Sequence, residues 1–292
     1  MEWYQQVHEA HCQKYLAKHA RFYTHPATEA IDPFRIADDL YYVGDKQVCG
    51  HLIKTNEGLI LLDSGFYHTT HLLTESIRKL GFDPADVRWI LHTHEHFDHF
   101  GAAEEFRTLY GTKTAISAAG AQSLREHPER ALIEWSNSPY QEIPTFDYEL
   151  QDGEIFEFGG VRIRCVLTPG HALGVMSFFF DVVDNGVTYL AGLFGGAGYT
   201  AMTVEYMKSV SLPMDMPQRM LASLDAIENE PVVVHLGNHP ANNKTLQKRE
   251  QQLREGGNPF IAPDSWKTFV AELRKKTQEI AEENEIKLRA HE

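Results

Sequence analysis

From Leu40 the chain alternates short apolar runs with polar or glycine breaks. "LYYVG", "CGHLIKT" and "GLILLD" are brief, β-rich runs, and each predicts a strand. The period then changes. In "HTTHLLTESIRKLGFDP", Leu73, Ile77 and Leu80 recur at helical spacing. Arg78 and Lys79 fall in the last turn, where cations suit the helix dipole, Gly81 fits a left-handed cap, and Pro84 follows. "VRWIL" predicts a short buried strand, "GAAEEFRTLYG" a helix closing on Gly111, "KTAIS" a strand and "AAGAQSLRE" a helix. Residues 127–150 lack a period. Pro128, Pro139 and Pro144, with Trp135 and Tyr140, predict a long excursion over a cleft.

The second half repeats the theme. "EIFEFGGVRIRCVLTPGH" predicts a hairpin turning at Gly159-Gly160, and "VMSFFFDVV" with "VTYLAGLF" a second one turning near Asn185-Gly186. "DMPQRMLASLDAIENE" is a helix, "PVVVHLGNH" a strand ending in histidine, and "NKTLQKREQQLREGG" a helix. The last helix starts near Asp264 or Ser265, either of which can cap it, and Trp266, Phe269, Val270 and Leu273 form its apolar stripe. Strands and helices thus come twice in succession, with no linker rich in Pro, Gly or Ser between the halves. One α/β domain of two packed sheets flanked by helices is expected over residues 34–292.

Residues 1–33 read as a helical extension. Trp3, Tyr4 and Val7 share one face before the pattern weakens. His8, His11 and Cys12 have spacings that suit a metal on a helix, but no further ligand in the segment completes a set, so a solvated face is expected.

The 292 residues carry a formal net charge of −14, which repels phosphate backbones and argues against nucleic acid as a partner. The three cysteines, Cys12, Cys49 and Cys165, do not make a disulfide framework. No apolar run approaches membrane-spanning length. The polar N-terminus lacks the apolar core of a secretory signal, so a cytoplasmic location is expected, or a periplasmic or secreted one if a signal has been removed. The expected partner is a small-molecule substrate; the sequence does not set an oligomeric state.

One stretch carries chemistry: "HTHEHFDH", residues 92–99, follows directly on a predicted strand. Alternation sends His94 and His96 the same way, so they can converge on one point, while Asp98 and His99 reach a second. Imidazole suits zinc, and a carboxylate can complete a second site. His171 in "TPGHALG" and His239 in "LGNHPAN" lie at predicted strand ends, in loops able to meet this run.

The pattern His-x-His-x-Asp-His, here His94, His96, Asp98 and His99, resembles that of the metallo-β-lactamase superfamily. So do the early strand ending in Asp63, the "TPGH" turn with His171 and the late strand-end His239, in matching order across residues 40–285. The resemblance implies a four-layer αββα sandwich with metals at one edge of the two sheets. It assigns His94, His96 and His171 to a first zinc and Asp98, His99 and His239 to a second. Asp63 becomes a brace of the metal loop through hydrogen bonds, and His92 falls outside the pattern as a structural residue.

Most hydrolases of the superfamily bridge the metals with an Asp, but Leu193 stands at that position here. This argues against glyoxalase II and quorum-lactonase readings. The third subclass of metallo-β-lactamases has no bridging ligand, and "PFRIADDLYYVGD", "LGFDPADVRWILHTHEHFDHFG" and "GGNPFIAPDSW" resemble its segments. That subclass usually docks the substrate carboxylate on hydroxyls just after this strand. "GLFGGAG" offers none, so Tyr199 and Asn242, with Thr200, Asn243 and Lys244, are the candidates to replace them.

The implied mechanism is attack of a zinc-activated hydroxide on a carbonyl carbon, since zinc lowers the pKa of water from about 15.7 to about 7. Asp98 orients the water, and the two zincs stabilise the oxyanion and the leaving atom. The expected reaction is β-lactam opening; the alternative is hydrolysis of another ester, lactone or amide in cytoplasmic metabolism. A diiron redox protein fits poorly, because such members replace a motif His by Glu and carry a flavin domain. A nuclease fits poorly with the acidic charge.

Overall fold

The two hairpins turn where the glycines predicted. Gly159 and Gly160 both have positive φ, as do Asn185 and Gly186, the pairing that matches the twist of the strands they join. The computed structural model describes residues 2–138 and 140–290; Pro139, one of the prolines of the predicted excursion, lies outside the described residues, as do Met1, His291 and Glu292.

Seven strands form one sheet in chain order: β1 (Phe34–Ala37), β2 (Leu40–Tyr42), β3 (His51–Thr55), β4 (Gly58–Leu62), β5 (Val87–Leu91), β6 (Lys113–Ser117) and β7 (Tyr148–Leu150). The first four pair antiparallel, and β4 to β7 pair parallel. The other sheet holds β8 (Ile155–Phe158), β9 (Val161–Leu167), β10 (Met176–Asp184), β11 (Val187–Phe194) and β12 (Val234–Gly237), with β12 parallel to β11.

Strand alternation sorts the layers. Ile60, Leu62, Leu91 and Ala115 of the first sheet meet Cys165, Phe178, Phe180, Leu193 and Leu236 of the second in one buried cluster. Leu59, Leu61 and Ile90 face the opposite way, against Leu73 and Ile77 of α2 (Thr70–Lys79) and Phe106 of α3 (Ala103–Tyr110). The outer face of the second sheet, with Phe179 and Phe194, is covered by Met220 and Leu224 of α6 (Met216–Ile227) and by Trp266, Phe269 and Leu273 of α9 (Ser265–Ala290). This is the expected four-layer αββα arrangement. α4 (Ala118–Glu126) and α8 (Thr245–Glu255) complete the predicted helices, α8 being preceded by the single turn α7 (Pro240–Asn243).

Three features depart from expectation. Strand β7 sits inside the stretch read as a plain excursion, where three residues are too few to show a period. A short helix, α5 (Val204–Ser209), follows the glycine-rich segment. The His8–Cys12 face of α1 (Trp3–Thr24) is only partly solvated: His11 is exposed, His8 half-buried and Cys12 buried, because the face lies against the excursion. The His8 and His11 rings stand 5.6 and 5.8 Å from that of Trp135, and Cys12 is buried beside the Glu134 carbonyl. Among the described residues no helix is long and apolar enough to cross a membrane, and all three cysteines are free.

Candidate metal centre

The parallel strands β4 and β5 end at the same edge, as do β11 and β12, and every candidate ligand lies on a loop leaving that edge or facing it. Loops at the carboxyl ends of parallel strands are where a sheet can offer side chains without spending its own ladder. Asp63 follows β4 with φ 59°, a left-handed backbone that turns its carboxylate back under the next loop. That carboxylate accepts from the Thr93 amide at 2.7 Å, the Thr93 hydroxyl at 2.8 Å and His99 Nδ1 at 2.8 Å. It is fully buried, and these bonds tie the turn after β4 to the His-rich loop.

Two triads result. The ligand atoms of His94, His96 and His171 lie within 4.8 Å of one another, and so do those of Asp98, His99 and His239. In the first, His94 Nε2 faces His96 Nδ1 at 3.1 Å. In the second, Asp98 Oδ2 stands 3.4 Å from His99 Nε2 and 3.5 Å from His239 Nε2. Apart from that of His96, the remaining ring nitrogens are bound to oxygen. His94 Nδ1 meets the Thr93 hydroxyl at 3.0 Å, His171 Nδ1 donates to the Gly198 carbonyl at 2.6 Å, and His239 Nδ1 donates to the Gln47 carbonyl at 2.8 Å. Such bonds fix tautomer and ring direction, leaving the other nitrogen's lone pair for a cation.

Electrostatics point the same way. Burial depresses the pKa of His94 and His96, reinforced by the neighbouring imidazoles, and burial takes His171 down to about 4. These rings are neutral, the form that binds metal. At His99 burial opposes protonation, but the Asp98 and Asp63 carboxylates outweigh it and raise the pKa. His99 Nε2 is buried with no hydrogen-bond partner. An orphaned imidazole nitrogen aimed at a carboxylate and a second imidazole fits a divalent cation, and mixed N/O sets of this kind suit zinc.

The other sequence candidates fall as follows. Leu193 is buried in the core between the sheets, where it cannot serve a metal. His92 is buried, with Nδ1 on the Ala115 carbonyl at 3.0 Å. Tyr199 is 52% exposed, and Asn242 donates to the Asn238 side chain at 2.6 Å. Neither makes a hydrogen bond to either triad among the described residues.

The structure also explains the missing hydroxyls after β11. A Cβ on Gly196 would stand 3.0 Å from His171 Cδ2, and one on Gly198 would stand 2.6 Å from His171 Cε1. At Gly196 and Gly198 the segment is a cradle for the ligand ring, with no room for a side chain. Sequence reasoning missed that, and it missed three residues with no place in the motif. Asp45 is buried and caps the Gln47 and Val48 amides at 2.7 and 2.9 Å, shaping the loop whose Gln47 carbonyl holds His239. Tyr15 and Tyr23 of α1 lie against each other near Trp135, and the Asp98 carboxylate acts on both phenols.

Comparison with known proteins agrees with this geometry. The family model of the metallo-β-lactamase superfamily matches residues 44–188. A β-lactamase hydrolase-like protein of Xylella fastidiosa is 28% identical over 203 residues, 65% of this chain and 43% of that protein, so the chain spans under half the length of this relative. Among solved structures, the native metallo-β-lactamase from Legionella gormanii superposes with a TM-score of 0.78 at 26% identity, covering 88% of this chain and 98% of that one. A subclass B3 metallo-β-lactamase of Bradyrhizobium japonicum gives 0.78 at 25%, covering 91% and 99%. Layer order, ligand order and family model coincide, and the chain belongs to the metallo-β-lactamase superfamily.

Proposed function

We propose that the chain is a zinc-dependent hydrolase that opens a small cyclic amide of the β-lactam type. The observation that supports this most is the pair of convergent triads, in which every imidazole but that of His96 is aimed by a bond from its other ring nitrogen. His94, His96 and His171 would hold one zinc, and Asp98, His99 and His239 the other. Bound zinc supplies a water ionisable near pH 7 and polarises a substrate carbonyl.

The chain's own groups do the rest. Asp98 turns Oδ2 to both His99 and His239, and its other oxygen can accept a hydrogen bond from the attacking water and orient it. Asp63 keeps the Asp98–His99 turn in register. The neutral imidazoles of the first triad would leave net positive charge at a bound cation, chemistry that could stabilise negative charge developing on a carbonyl oxygen.

A second reading is hydrolysis of an ester, lactone or open-chain amide. It is favoured by one observation: the Gly195–Gly198 segment presents no hydroxyl to a substrate carboxylate. Comparing kcat/KM for a chromogenic cephalosporin, p-nitrophenyl acetate and an acyl lactone, with and without chelator, separates the two. Chelator-sensitive turnover dominated by the cephalosporin supports the first, and turnover dominated by the ester or lactone supports the second. Zinc-loaded protein inert toward all three would sink both.

A further inference from the structure

Glu95 sits inside the ligand run, between His94 and His96, yet belongs to neither triad. It is 1% exposed. A carboxylate so placed is costly unless its oxygens are occupied. Both of them accept from the Gly174 amide at 3.2 Å, and the Ser123 hydroxyl of α4 reaches the same carboxylate. Ser123 in turn accepts from Arg130 Nη1 at 3.3 Å, and the rest of that guanidinium is tied to the Val210 and Ser211 carbonyls. Behind Glu95 there is thus a buried positive charge one hydroxyl away.

Gly174 belongs to the loop that carries His171. Its carbonyl is gripped as well, by the Ser117 hydroxyl at 2.6 Å, so the residue is pinned at both ends by buried side chains. The fit requires glycine. A Cβ on Gly174 would stand 2.6 Å from Glu95 Oε2, and one on Gly120 would stand 3.3 Å from it. The first triad draws two ligands from the loop after β5 and one from the loop between β9 and β10, which belong to different sheets. Glu95 is a direct side-chain link between those loops, three residues from His171.

We infer that Glu95 is a positioning residue: its carboxylate sets the place of His171 relative to His94 and His96, and so tunes the affinity of the first metal site. The inference rests on the zinc reading above. It predicts that reach, and not charge, is what counts. Glu95→Gln keeps an oxygen for the Gly174 amide. Glu95→Asp keeps the charge but withdraws it by one methylene.

The test is a zinc titration of metal-free wild-type protein and of E95Q, E95D and E95A, competed against a chromophoric chelator, beside a thermal melt of each metal-free variant. E95D and E95A should lose about 10- to 100-fold in affinity for one of two zincs, with the other unchanged, the size expected when a ligand's outer partner is removed. E95Q should stay within about threefold of wild type. Should E95A fail to fold, the E95D and E95Q pair carries the comparison alone. An E95D isotherm identical to wild type overturns the inference, as does E95Q failing as badly as E95D. Melting points that fall while both isotherms hold would show a purely structural role and overturn it too. Wild-type protein that takes up no zinc would overturn the metal reading itself, and this inference with it.

Discussion

Each ligand histidine but His96 has one ring nitrogen bound to oxygen within the protein, so the precision of the site lies one residue behind the ligands. Asp63 holds three donors of the metal loop at once. Asp63→Ala should therefore lower zinc affinity at the Asp98, His99 and His239 triad by about 10- to 100-fold. A chelator-competition titration checks this, and an unchanged second affinity would refute it. Asp98→Asn removes charge while keeping shape. It should cut turnover by about 100-fold or more with little change in melting temperature, because in the proposed mechanism the residue orients the nucleophile. Near-wild-type kcat would end that assignment. His94, His96, Asp98 and His99 were legible in sequence because alternation after a strand constrains them, and His171 and His239 because the family resemblance marks their turns. Asp45 and Glu95 were not: a single acid in a run or loop carries no period, and only the folded chain shows which amides it meets.

The elements teach a different lesson about legibility. Hairpins and helix ends were readable because Gly and Asn mark left-handed turns at Gly81, Gly111, Gly160 and Gly186. The glycine segment after β11 was readable as lacking side chains but not as a cradle, since the ring it accommodates lies more than twenty residues upstream in the chain. Gly198→Ala forces a Cβ to 2.6 Å from the His171 ring. It should displace that ring and abolish uptake of one zinc, measured as bound metal per chain; full uptake would contradict the account. The extension α1 was misread for a related reason. Its histidines read as plainly solvated; His11 is exposed, yet both rings rest against Trp135, an aromatic in an aperiodic stretch. Phe22 of α1 also meets Phe66 edge to face at 4.9 Å, and Phe66 meets Phe97 of the ligand run at 5.7 Å. Removing residues 1–24 should bare these rings, red-shift tryptophan emission and lower the melting temperature. An unchanged spectrum would show that α1 does not cover them.

At the scale of the whole molecule, a chain of net charge −14 concentrates neutral imidazoles in its interior. Burial holds His51 and His92 near pKa 4, and holds His235 near 3. Unfolded, these rings take up protons below about pH 6.5. The unfolded state then binds more protons than the folded one, so stability is present above that pH and is lost as pH falls toward 4. Asp45, raised by burial to about 6, works the other way: its contribution is present at low pH and is lost as pH rises through 6. The depressed histidines outnumber it, so the denaturation midpoint of metal-free protein in urea should fall between pH 7 and pH 5. A midpoint that rises would show that the buried rings are protonated in the fold.

The central claim is that the two triads are metal sites, and native mass spectrometry of the wild-type chain beside His171→Ala tests it most directly. The account predicts about two zincs on wild type and about one on the variant, since three ligands define each site. No zinc on wild type, or the same number on both, would contradict it.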